Sequence, residues 1–289
     1  MIYRVAGHNF CIKSSAEVLN LLPNFSPFVA NDLQESLLFT LRVQITDSLD
    51  VTSTGYELLH TDAQEVDMPR LEIYRRDGEW LLLTAMYQTS AVCSRLVISA
   101  DFTQADLFVT PEAVTFAINN ATMLLFAFTA LQYQTLELHA SVTVRGENGY
   151  LFLGKSGTGK STHSRLWMEA FGDAWLLNDD NPVVRLEDDG VWVYGSPWSG
   201  KTPCYKNARA RVGAFVHLQQ APENRITKAR PSKAYIDVYS SCSGLKFIEE
   251  VRDEMYNVIS HVIEAVPVYE LECLPNVEAA QLCARTCLS

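Results

Sequence analysis

The chain has 289 residues, 48% of them hydrophobic and 20% charged, the profile of a globular protein long enough for one large or two modest domains. Its 34 acidic and 23 basic residues leave a formal net charge of −11, which excludes a nucleic-acid binder relying on clustered Lys and Arg. A nucleoside triphosphate is not excluded, because a few backbone N–H groups, one Lys and a metal ion suffice locally. Seven scattered cysteines without a C-x-x-C pair do not form a secreted disulfide framework, and Cys283 and Cys287, four apart with no nearby His, do not form a metal site. The start MIYRVAGHNFCIK lacks a signal peptide's basic head and apolar run, and the apolar stretch Met123–Leu131 is too short for a bilayer. The expectation is a cytoplasmic protein with reduced thiols and no membrane partner.

Residues 1–110 read as a β-rich part. Short runs with β-branched or aromatic residues fall at Ile2–Val5, Leu37–Ile45, Tyr56–Leu59, Arg70–Tyr74, Glu79–Tyr87 and Ser94–Ile98. Arg76-Asp77-Gly78 between two of them predicts a hairpin. The period changes at Thr110-Pro111-Glu112, a helix start with Thr as N-cap and Pro at the first position. Apolar residues then keep helical spacing over Ala113–Gln134, as core packing rather than as a cofactor site.

From Leu136 onward strands and helices alternate, which places residues 111–289 in the mixed α/β class. Strands are predicted at Leu138–Val144, Gly149–Leu153, Ala174–Leu177, Val183–Leu186, Val191–Tyr194, Arg211–Leu218 and Val266–Leu271. Helices are predicted at Ser161–Phe171, Leu245–Ala265 and Asn276–Cys287.

Gly154-Lys155-Ser156-Gly157-Thr158-Gly159-Lys160-Ser161 fits G-x-x-x-x-G-K-[ST] without a mismatch, between the apolar strand YLFL and a helix. Its glycines let successive N–H groups turn inward toward phosphate oxygens, and the helix start adds its positive dipole end. Gly154 through Thr162 are therefore the candidate nucleotide-binding residues, with Lys160 on the β- and γ-phosphates and the Ser161 hydroxyl on Mg²⁺. Asp179-Asp180 follows the apolar run AWLL and Asn178, where a neighbouring strand would deliver a carboxylate to that metal.

The stretch His139–Asp180 is similar to the catalytic domain of HPr kinase/phosphorylase and its relatives, a group that shares a phosphate-loop fold with phosphoenolpyruvate carboxykinase. The resemblance rests on His139 in LELHASV, the G-x-S-G-x-G-K-S form of the loop, the Asp pair, and the closing run VPVYELECLPNVEAAQL. It covers roughly residues 112–289 and implies a C-terminal phosphate-loop catalytic domain that uses ATP and Mg²⁺. It further implies Asp179 as general base for an acceptor hydroxyl, Asp180 with Ser161 on the metal, and His139 beside the transferring phosphate or the metal. A homo-oligomer is expected by the same analogy.

The RGLG-type stretch that HPr kinases carry after the Asp pair is not found here, which puts HPr itself in doubt as substrate. In its place stands Gly195-Ser196-Pro197-Trp198-Ser199-Gly200-Lys201-Thr202. Lys201, with Lys206, Arg209 and Arg211, forms a basic cluster that either grips an anion at the transition state or offsets nearby carboxylates; Lys201 is the candidate catalytic member. His163 and Arg165 on the first helical turns are expected to face solvent. The function expected is an ATP-dependent phosphotransferase acting on a hydroxyl. The alternatives are a carboxykinase-like enzyme and an ATP-binding module without catalysis.

Overall fold

The computed structural model describes residues 1–31, 36–61, 69–86, 91–200 and 202–288, so Lys201 and the Tyr87 end of one expected strand lie outside the described residues. The chain divides into two compact units, Met1–Thr129 and Ala130–Ser289.

The first unit is built on β1 (Ile2–Val5), β2 (His8–Lys13), β3 (Leu37–Ile45), β4 (Glu57–Thr61), β5 (Arg70–Arg76), β6 (Glu79–Ala85), β7 (Val92–Ile98) and β8 (Gln104–Val109). They form one sheet in the order β1-β2-β3-β8-β7-β6-β5-β4, parallel only where β3 meets β2 and β8. The β5–β6 hairpin turns on Asp77 and Gly78, both at positive φ (50° and 88°), the backbone that the Asp-Gly pair favours. Helices α1 (Ala16–Asn20) and α2 (Val114–Ala130) complete the unit. Ala117, Ala121 and Leu124 of α2 face Leu82, Leu96 and Leu107 of the sheet.

With a short 3₁₀ turn at each end, α2 extends into a helical run over Pro111–Tyr133, longer than the apolar stretch read from the sequence. By length and composition this run could cross a membrane, but 61% of its most apolar window is buried inside the protein. Its polar residues do not interrupt it, because Thr122 and Thr129 donate their hydroxyls back to Ile118 O and Leu125 O, each at 2.7 Å.

The second unit carries β9 (Thr135–Glu137), β10 (Ala140–Arg145), β11 (Asn148–Leu153), α3 (Lys160–Ala170), β12 (Trp175–Asp180), β13 (Val183–Glu187), β14 (Gly190–Tyr194) and β15 (Arg209–Gln220). These are followed by β16 (Arg225–Lys228), α4 (Pro231–Ser241), α5 (Glu249–Ala265), β17 (Val268–Cys273) and α6 (Val277–Cys287). The mixed α/β reading holds for this unit. The sheet runs β12-β10-β11-β15-β14-β13-β9, and the long β15 forks, pairing with β14 near its start and in parallel with β17 toward its end.

Strand β11 is central and apolar on both faces. Tyr150 and Phe152 pack with Trp167 of α3 and Cys283 of α6, whereas Leu151 and Leu153 join a cluster with Val238 of α4 and Ile259 of α5. The sheet is thus covered on both sides, and the ends of β10, β11 and β12 meet at one edge.

Trp167 is fully buried, with ring centroids of Tyr150, Phe152 and Phe171 at 4.7, 5.6 and 5.7 Å. It pins α3, and with it the turn that α3 terminates, to the sheet. Trp167→Ala is expected to cost about 3–5 kcal/mol in urea denaturation, and a loss under about 1 kcal/mol would contradict this anchoring role.

Candidate functional site

The turn between β11 and α3 is shaped by glycine. Gly154, Gly157 and Gly159 have φ of 142°, 80° and 102°, angles that side chains resist. At Gly154 a Cβ would also lie 2.7 Å from Thr158 Oγ1. Gln220, at the end of β15, donates to Gly157 O at 3.2 Å and tethers the crest of the turn. Lys155 and Ser156 are exposed on that crest, and Thr158 Oγ1 donates to Lys155 O at 2.8 Å. Thr162 on the first turn of α3 accepts from Arg165, which is exposed as expected.

Register across β10 decides where the Asp pair points. Ser141 is paired with Phe152 on one side and with Asp179 on the other. Directly paired residues share a face, and Ser141 points toward α3, its hydroxyl 2.6 Å from that of Ser164. Asp179 therefore faces α3 too, where its Oδ1 accepts from Ser161 Oγ at 2.9 Å. Asp180, one residue on, turns to the opposite side of the sheet and lies 2.9 Å from His139 Nδ1. Its φ of 133° is unusual for a side-chain-bearing residue and sets its carboxylate against the histidine.

His139 bridges the two halves, because its Nε2 lies 2.8 Å from Lys160 Nζ. An ammonium only donates, so Nε2 must carry the lone pair and Nδ1 the proton, which is then given to Asp180. Lys160 also donates to Gly154 O at 2.9 Å. Burial pushes the Lys160 pKa down, against the opposing pull of Asp180 and Asp179. The five residues His139, Lys160, Ser161, Asp179 and Asp180 thus form one connected cluster at the sheet edge. Among the described residues no group of three or more His, Cys, Asp or Glu could by itself hold a metal ion.

Two neighbours have no sequence signal that singles them out. Glu137 at the end of β9 is fully buried, and burial, with Asp180 nearby, pushes its pKa well above the ordinary carboxylate range. Among the described residues its Oε2 has no hydrogen-bond partner. Asn178 is also fully buried, and its side chain ties β12 to residues 196–198. Preceding two aspartates, it reads in sequence only as a turn residue.

Of the basic cluster, Lys201 lies outside the described residues, and the other three are engaged elsewhere. Lys206 donates to Leu176 O and covers Trp175. Arg209 and Arg211 cover Trp192 at 4.1 and 4.6 Å and pair with Glu187 and Asp189. They offset carboxylates and do not line the glycine turn.

His163 corrects the sequence expectation of exposure. It is buried on the sheet side of α3 and accepts from Trp167 Nε1 at 3.2 Å. The helical turn that exposes Ser161 and Arg165 points His163 between them inward onto Phe152. No protein-family model matches the chain, and no curated protein matches it in sequence.

Burial pushes the His163 pKa down from 6.5 to about 4. Below pH 6.5 the unfolded chain takes up a proton that the folded protein refuses until about pH 4. The stability this neutral imidazole contributes is thus full above pH 6.5 and is lost as the pH falls through that window, at roughly 1.4 kcal/mol per pH unit. His163→Gln is expected to flatten the fall of unfolding free energy across that window, and curves parallel to wild type would contradict it.

Proposed function

We propose that the chain is a Mg²⁺-dependent, ATP-using phosphotransferase of the HPr-kinase-like type, with a C-terminal phosphate-loop domain that passes the γ-phosphate to a hydroxyl on a protein, peptide or small molecule. The observation that carries this reading is the 2.9 Å contact between Ser161 Oγ and Asp179 Oδ1. It joins the hydroxyl of the glycine turn to a strand-end carboxylate, the pairing a nucleotide-bound Mg²⁺ requires.

The donor set fits that ion. Mg²⁺ takes hard oxygen ligands and keeps several waters and phosphate oxygens, so one hydroxyl and one carboxylate suffice without a three-carboxylate cage. Ser161 and Asp179 would hold it, and when bound it would neutralise charge on the β- and γ-phosphates.

The protein's own groups supply the rest. Backbone N–H groups of the glycine turn and the start of α3 bind the phosphates. Lys160 exchanges its bond to Gly154 O for phosphate oxygens and so brings its charge to the transferring group. On this reading Asp179, bonded to Ser161, takes the metal side, whereas the family resemblance implies Asp180 there. Asp180 is left facing the acceptor, its side chain 35% exposed and oriented by His139. It takes the acceptor's hydroxyl proton as the new O–P bond forms and the bond from the γ-phosphorus to the bridging oxygen breaks, releasing ADP.

Incubation with γ-labelled ATP, Mg²⁺ and a cell extract is expected to label an acceptor. Nucleotide binding with neither transfer nor hydrolysis would leave the non-catalytic module, and oxaloacetate-dependent ATP consumption with CO₂ release would mark a carboxykinase. Lys160→Ala is expected to abolish nucleotide binding. Asp180→Asn is expected to keep Mg·ATP affinity and lose about 10²–10⁴-fold in turnover, whereas Asp179→Asn loses the Mg²⁺-dependent part of that affinity. Equal loss of binding in both Asp variants would overturn the division of roles.

A further inference from the structure

Residues 195–200 return to the Asp pair as a strap. Its anchor is Asn178, whose amide donates to Ser196 Oγ and Trp198 O, both at 3.1 Å, while its Oδ1 accepts from Asn181 N at 3.0 Å. Ser196 is itself fully buried and donates to Asn181 O at 2.6 Å, so both ends of the tie are saturated. The strap then runs antiparallel to the end of β12. Ser199 bridges Asp180, and Gly200 N donates to Asp179 O at 2.8 Å.

Gly200 is not glycine for the sake of its backbone, since it is not among the positive-φ residues. It is glycine at a close approach. A Cβ there would lie 2.9 Å from Asp180 Oδ2 and 3.0 Å from its Cγ. The bare Cα of Gly200 and His139 Nδ1 thus both bear on the Asp180 carboxylate. Asp180 holds an uncommon φ of 133°, which persists only where its surroundings over-determine it.

We propose that Gly200 is a positioning residue: its missing side chain lets the Asn178-anchored strap close on Asp180 and fix that carboxylate against His139, in line for the acceptor hydroxyl. The catalytic consequence rests on the phosphotransferase reading above; the geometric one does not. A Cβ at position 200 would press on Asp180 Oδ2, Cγ and Cβ at 2.9–3.1 Å and push the carboxylate by a few tenths of an ångström, weakening the acceptor that fixes the His139 tautomer. The strap thereby sets the orientation of the base without touching the nucleotide, and its effect falls on turnover rather than on Mg·ATP affinity.

The test reads His139 directly in the ligand-free protein by two-bond ¹H–¹⁵N spectra of the imidazoles, with His139→Gln to assign the signal and Asp180→Ala to define the released state. The wild type is expected to show His139 protonated at Nδ1 alone. Gly200→Ala is expected to move that signal to the released position while keeping a cooperative thermal transition. If Gly200→Ala does not fold, Ser196→Ala, which removes the strap's hub without adding an atom, is read in its place and is expected to shift the signal the same way. An unchanged His139 signal in the folded variant overturns the proposal whether or not transfer activity has been found. Where transfer is measurable, Gly200→Ala is expected to lose about a hundredfold in kcat with Mg·ATP affinity unchanged. A loss confined to that affinity would also overturn it.

Discussion

Ser141 on β10 sits in a row with Phe152 of β11 on one side and Asp179 of β12 on the other, and the rest of the site depends on that row. Strands in a sheet lie about 4.8 Å apart, so this pairing brings the strand that enters the glycine turn and the strand that ends in two aspartates to the same level, one strand removed. The two-residue period then sends Asp179 toward α3 and Ser161, and Asp180 toward His139. A slip of one residue would exchange the two carboxylates, giving Ser161 the wrong partner. The fully buried strands and the aromatic packing around Trp167 matter to the cluster because they hold this register.

Much of this was legible from the chain alone because it is written in contiguous residues. The glycine turn carries its own signature: three glycines, a Lys and a Ser between an apolar strand and a helix. The Asp pair stands out after its apolar run. Which partner each carboxylate meets was not legible, since it follows from register across a third strand and not from order along the chain. The strap was invisible for a similar reason. Asn178 and Ser196 meet across 18 residues, and each looks like an ordinary turn former. The burial of His163 is not readable from the chain because a helix recurs to the same face only about every 3.6 residues, and only the placement of Phe152 and Trp167 shows which way α3 is rolled.

Some elements escaped the sequence pattern altogether. Helix α4 buries Asp237 and Ser241 alongside Ala234 and Val238 while its Ile236 is exposed, so its polar and apolar residues do not separate into a core face and a solvent face. Its Asp237 pairs with Lys233 one turn back on the same helix and lies 3.8 Å from His217 Nε2 of β15, a tertiary contact that periodicity does not register. Strand β2 opens on His8 and Asn9, residues that favour turns in isolation but are buried here. The basic residues after the strap have the converse lesson. Clustered in sequence, Arg209 and Arg211 spread over Trp192 and toward Glu187 and Asp189, because an arginine on a strand finds its partners across the sheet.

The connected cluster of His139, Lys160, Ser161, Asp179 and Asp180 is, in the proposed chemistry, a triphosphate and Mg²⁺ site in its resting arrangement, with Lys160 on Gly154 O and Ser161 on Asp179. A crystal structure with a non-hydrolysable ATP analogue and Mg²⁺ tests this most directly. The expected result is a triphosphate in the turn Gly154–Ser161, with Lys160 Nζ moved from Gly154 O onto the phosphates and the metal between Ser161 and Asp179. A saturating analogue bound elsewhere, with Lys160 still on Gly154 O and His139, would contradict it.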